Sequence, residues 1–423
     1  MKTYSEGLNV IGYTEGEFGL GEAIRLNINA AKKLDIPINL INYEKVKQNI
    51  NYQYSFTYSV NLVQLSLKDL ESFIAIIDSN LFKKKYSILF LVWESEYIPP
   101  ELAENLNLFN EIWTPSEYCK KIFEKTFKNP ITIIPHPVEV HLKPVSNQKA
   151  IQFFDDNKFS FLFIFSYHSS IERKNPFFLI EAFKAAFDNN DNVELVIKTV
   201  GGKQHKKQMQ RLKRFISKNI KIYDVELDKN SVNHLINTCD AYVSMHHSEG
   251  FGLTLAEAMY LGKPSVATNY SGNTEFMNIE NSFLIDYKLS YIENFDNNFC
   301  SETLWANPLF SDAVKKLRSV YEDSSLRVRK AMNAEIFVKE KLSFYTIGTM
   351  IKNRLNFIYI NFDDLVATQC QNTYLLNQLQ FTRIEIAQLK REIRKMNKNK
   401  VIYLVVILKN VTRKLKAKFL LAT

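Results

Sequence analysis

Ser244-Met-His-His-Ser-Glu-Gly-Phe-Gly-Leu-Thr-Leu-Ala-Glu-Ala-Met-Tyr-Leu-Gly-Lys-Pro264 is the stretch on which the reading of this chain turns. A strand pattern ends at Ser244, a glycine-containing turn opens a helical pattern near Gly252, and Gly262 followed by Pro264 stops it. The first backbone N–H groups of such a helix have no partner within it, and they and the helix dipole favour anionic or hydroxyl-rich ligands. The amides of Gly252, Leu253 and Thr254 are the expected donors. Two carboxylates frame the turn, Glu249 before the helix and Glu257 inside it. At ~1.5 Å rise per helical residue they are expected on the order of 8–12 Å apart, too far for the ~5 Å pair of a retaining glycosidase but within the span of one extended ligand.

Outward from this unit the chain alternates strand-like and helix-like segments. Towards the N-terminus the pattern predicts strands over Leu8–Tyr13, Pro37–Tyr43, Ile88–Trp93 and Ile131–Ile134, with helices over Glu22–Leu34 and Ser116–Phe127. A polar, irregular stretch from Val140 to Lys158 follows. The alternation then restarts with strands Phe159–Ser166, Val193–Thr199, Ile220–Tyr223, Ala241–Ser244 and Ser265–Ala267. Between them lie helices Pro176–Phe187, Gln204–Lys218, Ser231–Thr238 and Leu253–Leu261. Two doubly wound α/β domains are expected, with ligands at the carboxyl ends of their parallel strands. After Trp305 the pattern is helical, Ser311–Tyr321 and then roughly Leu326–Ile358.

The chain has 423 residues, 46% apolar and 23% charged, a composition that excludes disordered and fibrous classes. Cys119, Cys239, Cys300 and Cys370 are widely spaced, which speaks against a disulfide framework or thiolate zinc site and for reduced thiols. The seven histidines show no H-x-x-x-H or H-E-x-x-H spacing, and no phosphate-loop motif occurs, so no metal site and no P-loop hydrolysis are expected. Met1–Tyr13 lacks the pattern of a secretory signal, and the longest apolar runs are too short to span a bilayer.

The net charge is +9, but residues 383–423 carry +10 and the remainder −1. Within this basic tail, Leu375, Leu379, Thr382, Ile386, Leu389, Ile393 and Met396 follow 4-3-4-3 spacing, consistent with a coiled-coil seam or with an amphipathic helix docked on the body. The run Val401–Leu408 between basic clusters reads as an interfacial helix. An anionic membrane surface is the expected partner of the tail, and homo-oligomerisation through the seam is a further expectation. Nucleic acid is not expected, because aromatic residues are sparse among the charges.

Ser-Glu-Gly-Phe-Gly-Leu, Glu-Ala-Met and Gly-Lys-Pro stand in register around Glu249 and Glu257, and in this the chain resembles the retaining GT-B glycosyltransferases with a Glu-x7-Glu signature, the group 1 or family 4 type. The resemblance implies two Rossmann-like domains facing across a cleft. It implies that Glu249 meets donor-sugar hydroxyls, Glu257 the nucleotide ribose, and Gly250, Phe251, Gly252, Leu253 and Thr254 the sugar and diphosphate through the turn. Arg173 and Lys174, in Arg-Lys-Asn-Pro after the strand Phe159–Ser166, fall where the family places its phosphate-binding pair. The commoner Gly-Arg is missing and the two cations are adjacent. The motif resembles a bacterial polysaccharide or lipopolysaccharide sub-branch.

The N-terminal turn Gly12–Glu22 contributes Gly19 and Gly21, glycines that let a ligand approach the backbone. By the resemblance this loop faces the donor phosphate or the acceptor. Many relatives use a histidine near Val92–Pro99, where this chain has Glu94, an acceptor-side or sugar-side candidate. Ser271 and Asn273 are candidates for base or sugar contacts, and Lys198 for the nucleotide or for solvent. Trp305 is read as packing, in a segment resembling the point where such chains cross back to the first domain.

The implied activity is metal-independent, retaining transfer of a sugar from a nucleoside diphosphate, GDP-mannose by resemblance, to a glycan or lipid-linked acceptor at the cytoplasmic membrane face, without a further cofactor. The alternatives are a GT-B phosphorylase, a sugar-nucleotide epimerase, or a non-catalytic scaffold of glycan assembly. The expected limits are 1–145 and 146–325 for the two domains, 326–362 for crossover helices and 363–423 for the tail. Glu249→Ala is expected to leave folding intact and to lower turnover by roughly 10²-fold or more.

Overall fold

The computed structural model describes residues 4–16, 18–48, 52–144, 153–188, 190–292, 303–367 and 382. Apart from Thr382, the heptad seam Leu375–Met396 and the run Val401–Leu408 lie outside the described residues, as do Cys300 and Cys370.

In the first domain β1 (Leu8–Gly12), β2 (Ile38–Asn42), β3 (Val60–Gln64), β4 (Tyr86–Phe90), β5 (Glu111–Thr114) and β6 (Ile131–Ile133) form a parallel sheet of order 2-1-3-4-5-6. Its helices are α1 (Gly19–Lys33), α2 (Tyr43–Gln48), α3 (Leu70–Ile76), α4 (Pro100–Ala103) and α5 (Glu117–Phe123). The second domain repeats this plan with β7 (Phe159–Ser166), β8 (Val193–Val200), β9 (Ile220–Asp224), β10 (Ala241–Ser244), β11 (Ser265–Thr268) and β12 (Phe283–Ile285), in the order 12-11-10-7-8-9. Its helices are α6 (Ile171–Lys174), α7 (Pro176–Phe187), α8 (Lys206–Lys213), α9 (Lys229–Thr238) and α10 (Leu253–Tyr260). The expectation of two doubly wound domains is met, and both order reversals place open crevices at the carboxyl ends of the strands.

Leu162, Phe163 and Phe165 in β7, Leu195, Val196 and Ile197 in β8 and Val243 in β10 are almost fully enclosed, as strands covered by helices on both faces must be. The first sheet is less uniform. Asn9 of β1 donates to Asn61 of β3 at 2.8 Å, and Asn61 donates to Ser87 of β4 at 3.0 Å, a buried polar ladder across the central strands.

β13 (Tyr287–Tyr291) and β14 (Leu304–Pro308) form an antiparallel pair beside the second sheet, in a stretch to which the sequence pattern assigns no element. Trp305 packs as expected, its ring stacked on His247 at 4.7 Å, but its segment is not the crossover. α11 (Phe310–Glu322) and α12 (Ser324–Lys341) stay on the second domain, and the chain returns to the first with α13 (Phe344–Ile360), followed by α14 (Phe362–Val366). The helix expected over Leu326–Ile358 is therefore two helices. Ser343 caps the second, its Oγ accepting from the Thr346 amide at 3.1 Å. Gly348 lets α13 lie against α1, since a Cβ there would sit 2.3 Å from the Ala30 carbonyl. Arg354 of α13 forks onto the buried Glu111 of β5 at 2.8 and 3.0 Å.

Candidate active site

β7 ends at Ser166, and two residues held at positive φ, Ser170 (60°) and Asn175 (52°), bracket the short helix α6. The Ser170 hydroxyl accepts from the Arg173 amide at 3.4 Å, and the Asn175 side-chain amide donates to the Met245 carbonyl at 3.0 Å. These contacts swing Arg173 and Lys174 over the end of β10. The turn that follows β10 is equally constrained. A Cβ on Gly250 would come within 2.1 Å of Val92 Cγ1 in the first domain, and one on Gly272 within 2.0 Å of the Gly250 carbonyl oxygen. Gly252 has φ +91°, a conformation suited to glycine at the helix entry.

Glu249, Arg173, Lys174 and Glu94, drawn from both domains, meet in one cluster. Arg173 Nη1 donates to Glu249 Oε2 at 3.1 Å and to the Ser248 carbonyl at 2.7 Å, and its Nη2 lies 3.7 Å from Glu94 Oε1. Lys174 Nζ donates to the other oxygen of Glu249, Oε1. Adjacency of the two cations is thus no handicap, because each takes one oxygen of the same carboxylate. Arg173 is 3% exposed and Glu249 7%, so the pairs are shielded from solvent screening. Burial alone would raise the Glu249 carboxyl, but the Lys174 and Arg173 charges outweigh it and hold the group far below the usual carboxylate range. Burial pushes the Lys174 ammonium down, with Glu249 opposing it.

The turn amides behave as the sequence suggests. Leu255 and Ala256 donate back to the Gly252 carbonyl at 3.0 and 3.1 Å, whereas the N–H groups of Leu253 and Thr254 have no acceptor among the described residues. Glu257, one turn into α10, is buried. One of its oxygens accepts from Lys229, and the other, Oε2, is enclosed without a hydrogen bond. Lys198 does not face solvent, being 4% exposed on β8.

Other expected contacts go elsewhere. Ser271, at φ 78°, accepts from the Glu249 amide at 2.7 Å and donates to the Tyr270 carbonyl, so its hydroxyl positions Glu249. Asn273 is fully buried, its Oδ1 3.1 Å from His246 Nε2 and its Nδ2 donating to the Thr268 carbonyl at 3.0 Å. It braces the turn from behind. The Phe251 ring packs between Phe276 and His136 at centroid distances of 5.0 and 5.3 Å, leaving its backbone alone to serve a ligand. In the first domain Gly21 packs on the Gly16 carbonyl, where a Cβ would stand 2.0 Å away, while Gly19 opens α1 with free space around it.

Several residues of the site carry no sequence signal of their own. Buried His246, whose side chain burial holds near pKa 4, joins Ser244 and Asn273 beneath Glu249. Ser248 Oγ donates to the Glu94 carbonyl at 2.6 Å, Ser116 Oγ to the Gly250 carbonyl at 2.8 Å, and Tyr270 OH to Glu96 at 2.6 Å. These bonds join the two domains at the turn that bears Glu249. Each donor lies more than 130 positions from its acceptor in the sequence, so only the fold brings them together.

Residues 147–290, the second domain with the clustered turn, match the family model described as glycosyl transferases group 1. The uncharacterized glycosyltransferase MJ1059 of Methanocaldococcus jannaschii is 28% identical over 233 residues, 51% of this chain and 56% of that protein. The chain thus spans little more than half the length of this curated relative. Among solved structures, Anabaena Alr3699/HepE in complex with UDP and glucose aligns with a TM-score of 0.59 at 15% identity, over 83% of this chain and 100% of that one. A glycosyltransferase from Rickettsia africae ESF-5 aligns with a TM-score of 0.59 at 16% identity, over 84% and 99%. The chain has the GT-B fold, and residues 147–290 within it are similar to the group 1 glycosyltransferases.

Proposed function

We propose that this protein is a retaining, metal-independent glycosyltransferase that moves a sugar from a nucleoside diphosphate sugar to a growing cell-surface glycan. The observation that carries the reading is the convergence of Arg173 and Lys174 on Glu249, next to the two unpartnered amides at the start of α10. A lysine ammonium has three donors and a guanidinium five, so both can hold Glu249 and still take up diphosphate oxygens. Preorganised cations and amides stabilise the charge that grows as the diphosphate departs, without needing a bound metal. Glu249 keeps its remaining lone pairs for donor-sugar hydroxyls, and Glu257 Oε2 awaits the ribose.

The state of Glu249 bears on the route. A carboxylate held far below its ordinary pKa is a weak nucleophile and a weak base. This favours front-face displacement through an oxocarbenium-like state over a covalent glycosyl-enzyme. Glu94, on the first-domain side of the cluster and 3.7 Å from Arg173 Nη2, is the group proposed to meet the acceptor hydroxyl. Residues 363–423, with their basic charge, are proposed to hold the enzyme at the cytoplasmic membrane face and to pair chains.

Resemblance favours GDP-mannose as the donor, and the UDP bound by Alr3699/HepE makes a uridine donor the second reading. A thermal-shift panel of GDP- and UDP-sugars separates them, since a ligand at 100 times its Kd adds ~2.7 kcal/mol of stability. No shift with any nucleotide would count against a donor site.

A further inference from the structure

β8 alternates its side chains between two apolar cores. Leu195 and Ile197 pack with Phe183 and Phe187 of α7, whereas Val196 packs with Leu235 and Ile236 of α9 and with Leu255 and Met259 of α10. Lys198 continues the Val196 row and so points to the α9 and α10 side, the face that presents the unpartnered Leu253 and Thr254 amides and Glu257 Oε2. It is 4% exposed, and its ammonium has neither a hydrogen bond nor an ion pair among the described residues. The opposing charges that act on it are Asp224, at the end of β9, and Glu226 just beyond it. Asp224 is committed elsewhere, its Oδ1 accepting from Thr199 Oγ1 at 3.0 Å and from the Gly202 amide at 3.2 Å, and Glu226 is exposed. An ammonium on so enclosed a side chain, with no protein acceptor among the described residues and only its tip accessible, is a reason to look for a ligand atom that supplies one.

The position limits what that atom is. Arg173 and Lys174 follow β7, and the free amides open α10 after β10, so the diphosphate cations and donors lie on the β7–β10 side of the sheet. Lys198 lies across β7 from them, with two carboxylates nearby that disfavour a further phosphate. Resting on the donor-site reading above, we infer that Lys198 donates a hydrogen bond to a carbonyl oxygen of the donor's nucleobase and thereby anchors the nucleoside half of the substrate.

The test is calorimetric titration of the full chain and Lys198→Met with GDP, UDP and inorganic pyrophosphate, with melting temperature as the folding control. Methionine fills the space of the lysine stem and removes the buried charge, so the variant is expected to fold at least as stably as the parent. The expected result is a loss of roughly tenfold or more for the nucleoside diphosphate that the parent binds best, as for a charged hydrogen bond, with pyrophosphate affinity unchanged. A parallel loss for pyrophosphate would place Lys198 on the phosphates and overturn the assignment. Unchanged affinity for every probe would overturn it as well. Failure of the parent to bind any nucleotide would instead refute the donor site itself.

Discussion

Replacing Glu249 by Gln keeps the shape of the side chain and removes the charge on which two buried cations depend. Arg173 would retain the Ser248 carbonyl and Glu94 Oε1, 3.7 Å away and 33% exposed at the side chain, while Lys174 would lose its carboxylate partner. Breaking one side of a buried ion pair costs about 3–5 kcal/mol. For a domain of this size that corresponds to a melting temperature lower by about 6–20 °C at neutral pH. Removing this carboxylate is therefore expected to lower stability as well as turnover, because the same group that is proposed to fix substrate also neutralises the clamp.

The pH dependence gives a second arm to this experiment. The folded Glu249 carboxyl lies below its ordinary value of 4.5, so its contribution is fully present above that pH and is lost as pH falls below it. The gap in melting temperature between parent and Glu249→Gln should stay constant from pH 7 to 5 and narrow below about 4.5. Adding Lys174→Met to the variant should recover part of the loss, because the stranded ammonium goes with it. A Glu249→Gln protein that melts within about 2 °C of the parent at pH 7 would show that the cluster is not a buried, mutually dependent unit.

Lys174→Ala should lower kcat by roughly 10²-fold with modest destabilisation, and Arg173→Ala should lower the melting temperature more, since Arg173 also holds the Ser248 carbonyl; steady-state kinetics and melting curves on both variants check this. Saturating EDTA should leave transfer intact, and activity recovered only by magnesium or manganese would overturn metal independence. Deleting residues 368–423, which spares α14, should release the protein from anionic vesicles at ~0.15 M salt while leaving transfer to a soluble acceptor largely unchanged; continued cosedimentation would exclude the tail as anchor.

What could be read from the sequence follows from how locally each feature is determined. The limits of β7, α7 and β10 were legible to the residue, because their apolar runs are buried by both layers and bounded by turn residues. β3 was not, since Asn61 and Gln64 interrupt its apolar pattern and find their hydrogen bonds on other elements, Asn61 with Asn9, Ser87 and the Leu81 carbonyl and Gln64 with Asn27. β5 hid for a related reason. It opens on Glu111, whose burial makes sense only once Arg354 of α13 is seen to reach it.

At the site, Glu249, Arg173 and Lys174 stood out because they follow the carboxyl ends of parallel strands, where a doubly wound fold binds its ligands. Ser271 and Asn273 share that location, yet their side chains serve the turn itself. Distinguishing a hydroxyl that meets ligand from one that caps a backbone amide needs the φ of 78° at Ser271 and the buried partner of Asn273. Neither is encoded in local spacing.

The central claim is that a nucleoside diphosphate sugar is bound between Arg173, Lys174, Glu249 and the α10 amides and reacts with retention. Proton NMR of the sugar released during slow donor hydrolysis, followed before mutarotation, tests it most directly. From an α-linked GDP- or UDP-sugar the account predicts the α anomer first, stoichiometric with nucleoside diphosphate and reduced about 10²-fold in Lys174→Ala. Initial release of the β anomer would contradict it.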